Sequence, residues 1–146
     1  SGMVLVQFYG PPKPAESADA TVSDEYYTAV TLADGTLNII DYNGPQGELV
    51  IPASIGGVAV TGVSGGFSGK AFTSVTIPEG ATFLGDGVFA NCTQLVWASL
   101  PSTLKAIGAY AFANDTALVS LGLPRSVTIG DGAFANNEKF EDLALP

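Results

Sequence analysis

The sequence predicts a mostly β solenoid with short helical turns, preceded by a β-hairpin. Three observations predict it: a motif that recurs about every 23 residues, a composition rich in glycine and proline but poor in charge, and an Asp-Gly turn between two β-forming segments. The 146 residues suffice for one domain, and a 47% hydrophobic content supplies a core. Only 13% of residues are charged, about half the usual quarter. Eighteen glycines and nine prolines argue against long helices and coiled coils. Any helix is therefore expected to be short.

In chain order, residues 1–24 read as a tag scar (Ser1-Gly2) followed by a linker, because Gly10-Pro-Pro-Lys-Pro14 and the Ala/Ser/Asp stretch to Asp24 have an extended composition. Residues 25–46 hold the hairpin. There Glu25 to Leu32 and Thr36 to Ile40 flank Asp34-Gly35, a turn pair that tolerates positive φ. Residues 47–146 hold the repeats. Phe72-Thr-Ser-Val-Thr-Ile-Pro78 aligns with Leu95 to Pro101, Leu118 to Pro124 and Phe140 to Pro146, so the prolines are spaced by 23, 23 and 22 residues. Pro52 starts an imperfect copy.

Within each copy, Phe72, Val75 and Ile77 and their equivalents face inward, the last two alternating as in a strand. The proline cannot donate to a ladder and ends the strand at one level of the stack. An apolar residue before glycine follows (Leu84-Gly85, Ile107-Gly108, Ile129-Gly130), then Phe89, Phe112 or Phe134 returns to the core along the convex path. Ala-Asn follows each Phe, and an asparagine recurring once per coil predicts a stacked ladder. One such coil cannot bury enough apolar surface to offset the entropy of ordering it, so each depends on its neighbours.

These residues resemble the BspA-type (bacterial surface protein A) leucine-rich repeat, over residues 49–146. Leu-x-x-Val-x-Ile-Pro followed by Ile-Gly-x-x-Ala-Phe keeps phase through three copies, departing only around Ser64-Gly-Gly-Phe67 and at Ser126-Val-Thr128, where the return path is one residue short. The resemblance implies a right-handed leucine-rich-repeat solenoid with a parallel sheet on one face, the hairpin acting as its N-terminal cap. It also implies a bacterial, extracellular or cell-surface location and adhesion to a host matrix or other cell-surface protein, or to a glycan. The competing reading is a structural spacer or assembly segment of a larger surface protein. The export signal and further repeats or an anchor are expected outside these residues, since the last copy stops at its proline.

Composition narrows the chemistry. Fourteen acidic residues against five basic ones give a net charge of −9, which repels nucleic acid and anionic membranes. With no histidine, His-based acid–base catalysis and nucleophile pairs are absent, and neither a cofactor nor an enzymatic role is expected. A single cysteine excludes an internal disulfide and a multi-cysteine zinc site. No apolar run reaches the length of a membrane span.

Trp97 occupies the outward strand position held by Ser74 and Ser120 in neighbouring coils. It is expected to anchor a ligand on the sheet, beside Thr76, Ser99, Ser120 and Asp142, unless a loop, the N-terminal segment or a partner subunit covers it. Tyr110 and Phe83 are further exposed aromatic candidates. Gly85-Asp-Gly87 and Gly130-Asp-Gly132 suggest calcium, but the middle copy reads Gly108-Ala-Tyr110, so these are read as turns. Cys92 aligns with Asp115 and Asn137 and is read as a structural thiol. Asp86, Asp131 and Glu79 are read as solvating groups rather than a catalytic pair.

Overall fold

The computed structural model describes residues 21–139, a β-solenoid of about four turns. Asp142 and the copy opening at Phe140 lie outside the described residues, as does most of the segment read as tag and linker. Two sheets carry the coils. One contains four parallel strands in the order β11-β9-β7-β4: β4 (Gly47–Val50), β7 (Phe72–Thr76), β9 (Trp97–Ser99) and β11 (Ser120–Leu121). In this sheet Leu49, Val75, Ala98 and Leu121 share one inward row, and all four are buried.

The second sheet was not foreseen, since the family resemblance implied a sheet on one face only. It is built from the short apolar-Gly segments: β6 (Val58–Val63), β8 (Phe83–Leu84), β10 (Ala106–Ile107) and β12 (Thr128–Ile129) pair in parallel. β5 (Ser54–Ile55) folds back antiparallel on β6. The hairpin of β2 (Tyr27–Thr31) and β3 (Leu37–Tyr42) joins this second sheet, with β3 parallel to β6. Its turn forms as Asp34-Gly35 predicts: Gly35 has φ +88° and the Asp34 carboxylate accepts from the Thr36 amide and hydroxyl. Thr21–Ser23, read from sequence as linker, forms β1 and pairs antiparallel with β2.

No helix forms among the described residues, so the expected short helical turns are not there. The reason lies in where the amides point. On the return path Gly87, Phe89 and Asn91 donate to Ala109, Ala111 and Ala113 of the next coil, and Tyr110, Phe112 and Asn114 donate to Asp131, Ala133 and Ala135. A helix would need those same amides for itself. Left-handed residues also interrupt any helical run: Gly87, Tyr110 and Gly132 at one level, and Asn91, Asn114 and Asn136 four residues on. The expected asparagine ladder is present, Asn114 Nδ2 donating to Asn91 Oδ1 at 2.8 Å and Asn136 Nδ2 to Asn114 Oδ1 at 2.7 Å.

The core is an aromatic column. Tyr42, Phe67, Phe89, Phe112 and Phe134 stack at centroid separations of 5.2, 5.2, 5.7 and 5.7 Å, starting in the hairpin and running through the coils. Such offset ring pairs add to the burial of large apolar area. The irregular Gly65-Gly66 stretch has a cause here: a side chain on Gly66 would lie 2.2 Å from the Tyr42 backbone nitrogen, so only glycine lets the first coil approach the hairpin.

Candidate ligand-binding face

The outer surface of the four-stranded sheet is set by the six-residue strand motif. With Leu95, Ala98 and their equivalents turned inward, the intervening residues are presented in rows across the coils. One row, tied by amide bonds from Val96 to Thr73 and from Val119 to Val96, consists of Thr73, Val96 and Val119. The next consists of Glu48, Ser74, Trp97 and Ser120, and a third of Val50, Thr76 and Ser99. Trp97 is 43% exposed and its register neighbours Ser74 and Ser120 are small, so the indole stands between short side chains. Ser74, between Glu48 and Trp97 in register, is itself buried.

Thus Trp97, Thr76, Ser99 and Ser120 share one face. Asp142, expected to join them, lies outside the described residues. Tyr110 does not join them: it sits at φ +59° on the return path, and its ring covers Gly132, where an added Cβ would lie 2.3 Å from Tyr110 Cε1. Phe83 is half-buried in β8 and lies against Gly62 in the second sheet. The sequence reading missed the apolar part of the face. Val50 (70% exposed), Val96 and Val119 stand beside the polar positions, so the strip is mixed rather than polar. Their signal was present, since all three fall at outward positions of the strand template. Glu48 is the one ionisable side chain in these rows. An open groove of about 410 Å³ adjoins them, lined by Leu100, Ser102, Gly122, Leu123, Pro124 and Arg125.

Two of the remaining acidic candidates, Asp86 and Glu79, have structural partners. Asp86 Oδ1 accepts from the Ala109 amide at 2.8 Å, and Glu79 accepts from the Ser102 amide and hydroxyl at 3.4 and 3.2 Å. Gly87 and Gly132 adopt the left-handed conformation that the Gly-Asp-Gly turns require. Cys92 is fully buried, its thiol pushed up to about 12 by burial and by the neighbouring Asp115 carboxyl. It is a poor nucleophile. Lys70 is held over the Tyr42 ring, its ammonium donating to the carbonyls of Tyr42 and Gly66. No array of acid, base and nucleophile arises from these contacts.

The family model for the BspA-type leucine-rich repeat region matches residues 64–146 in six copies. The chain belongs to the BspA-type leucine-rich-repeat family. Solved structures of similar fold include a leucine-rich repeat protein from Bacteroides capillosus, 28% identical, with TM-score 0.77, covering 87% of this chain and 99% of that one. A leucine rich cell surface protein from Faecalibacterium prausnitzii is 26% identical with TM-score 0.68, and a leucine-rich repeat protein from Bacteroides ovatus is 25% identical with TM-score 0.62. Each aligns with 86% of this chain, which spans 42% and 41% of those longer proteins. No curated protein matches the chain. BspA-type repeats are typically protein-interaction modules, and the fold is generally a non-enzymatic binding scaffold.

Proposed function

We propose that the chain is an adhesion module of the bacterial cell surface, and that the outer face of its four-stranded sheet docks a protein on the host matrix or on another cell. The observation that carries this reading is Trp97, exposed between two serines on a rigid sheet and bordered by Val96 and Val119. An indole with an apolar surround has the character of an interface anchor. The ladders that fix every strand leave little conformational entropy to lose on association. The chain's excess of acid favours a partner with a basic approach surface. The hairpin, joined to β6 and heading the aromatic column, suits the role of N-terminal cap. The surface location is supported by the relative described as a cell surface protein.

Trp97 is the sole tryptophan, so its fluorescence reports the face directly. The expected result is a red, acrylamide-quenchable emission that shifts on titration with one member of a panel of matrix proteins and glycans. Trp97→Ala should then weaken that complex by about 2 kcal/mol or more, roughly thirtyfold. Tyr110→Ala, on the return path, should leave it unchanged. A bound partner held equally well by Trp97→Ala would remove the sheet from the interface, and no binding across the panel would favour a spacer that holds another domain away from the cell wall.

A further inference from the structure

Behind the asparagine ladder runs a second column of equivalent positions, Cys92, Asp115 and Asn137. The outer two members donate to the carbonyl of the phenylalanine one coil back: Cys92 Sγ to Phe67 at 3.4 Å, and Asn137 Nδ2 to Phe112 at 2.8 Å. Asp115 follows Phe112 by three residues, as Cys92 follows Phe89 and Asn137 follows Phe134, so the repeat makes the Phe89 carbonyl its counterpart one coil back. Its Oδ1 accepts from the Cys92 amide at 2.8 Å, but its Oδ2 is buried with no partner, and the Phe89 carbonyl accepts no hydrogen bond among the described residues. Asn137 cannot supply the missing hydrogen, because its amide already donates to the carbonyls of Phe112 and Asp115. Among the described residues no cation reaches the site either: the titratable group facing Asp115 is the Cys92 thiol, and the Lys70 ammonium is bound to the carbonyls of Tyr42 and Gly66.

The geometry points to Asp115 as a neutral carboxylic acid whose Oδ2–H donates to the Phe89 carbonyl, a buried proton that locks adjacent coils together and is released at alkaline pH. An ionised carboxylate in this donor position would set two acceptors side by side with no hydrogen between them, in a fully buried setting. Burial pushes this carboxyl up to about 8, opposed only by the Cys92 amide. In the unfolded chain an aspartate titrates near 3.9. Between these values the folded state binds the extra proton, so the stabilisation is complete below about pH 4, declines as pH rises, and is gone above about 8. Across that window the unfolding constant should rise about tenfold per pH unit from this residue alone.

Urea unfolding of the chain and of Asp115→Asn from pH 5 to 9 tests this. Asparagine can present Nδ2 to the Phe89 carbonyl, as Asn137 Nδ2 does to that of Phe112, and Oδ1 to the Cys92 amide, and it carries no titrating proton. The ratio of the two unfolding constants should climb about tenfold per pH unit up to about 7.5 and level off above 8. Asp86→Asn, at an exposed turn, should run parallel to the parent chain. Carbon-13 NMR of the aspartate carboxyls reads the parent directly, so the question stays decidable even if Asp115→Asn fails to fold. An Asp115 carboxyl that titrates below pH 5, or curves for parent and Asp115→Asn that stay parallel over this range, would overturn the proposal.

Discussion

At the level of single residues, the constraint that repeats from coil to coil is the close approach of glycines to the backbone of the preceding coil. A Cβ on Gly108 would lie 2.6 Å from the Asp86 amide nitrogen and from the Gly85 carbonyl carbon, and one on Gly130 would lie 2.6 Å from the Ala109 nitrogen. These are backbone atoms, so the coils themselves would have to separate. Gly122 differs, with open space around it and no positive φ. Gly108→Ala should therefore destabilise by about 3 kcal/mol, at the upper end of ordinary single substitutions. Gly122→Ala should stabilise by about 0.5 kcal/mol through the entropy of the unfolded chain. Urea midpoints of the two variants test the contrast, and equal midpoints would contradict close packing at Gly108. The sequence marked Gly108 through its repeat, but a pattern of letters does not distinguish contact from open space.

At the level of elements, the repeat was legible because its inward positions are apolar at fixed spacing and its proline and asparagine hold phase. What escaped was the partner of each backbone amide. Two-residue strands such as β8 and β10 have too few positions to show a period of two, and the return path reads as a helical turn until its amides are followed to the next coil. The recurrent asparagine combines two contributions that mutation can separate. Asn114 sits at φ +64° and makes both side-chain bonds of the ladder. Asn114→Gly keeps the backbone conformation and loses the bonds, a cost of about 1–2 kcal/mol. Asn114→Ala also forces a Cβ into the left-handed region, a further cost of about 1–2 kcal/mol. Thermal unfolding of the two variants checks the order, and equal losses would assign the recurrence to the side-chain ladder alone.

For the whole molecule, the candidate face was partly legible: the outward template placed Trp97, Thr76, Ser99 and Ser120 together, whereas Tyr110 fell on another surface because aligned copies do not reveal which ladder a turn residue joins. The same stacking makes stability a property of neighbours. Burial is not uniform along the stack. Phe89, Phe112, Leu84 and Ile107 are fully enclosed, whereas their equivalents Phe134 and Ile129 are only partly buried, as is Leu123 in the same coil. Return-path amides donate onward, those of Phe89 and Asn91 to the Phe112 coil and those of Phe112 and Asn114 to the Phe134 coil, all at 2.8 Å. Equal bond lengths predict equal protection if the array opens as one unit. Unequal burial predicts otherwise, since releasing a less enclosed coil costs less free energy. Hydrogen exchange should therefore protect the Phe89 and Asn91 amides about tenfold or more over those of Phe112 and Asn114, a difference of about 1.4 kcal/mol in opening. Identical protection at the two levels would mean that the coils unfold together and that the aromatic column couples them more strongly than their burial indicates.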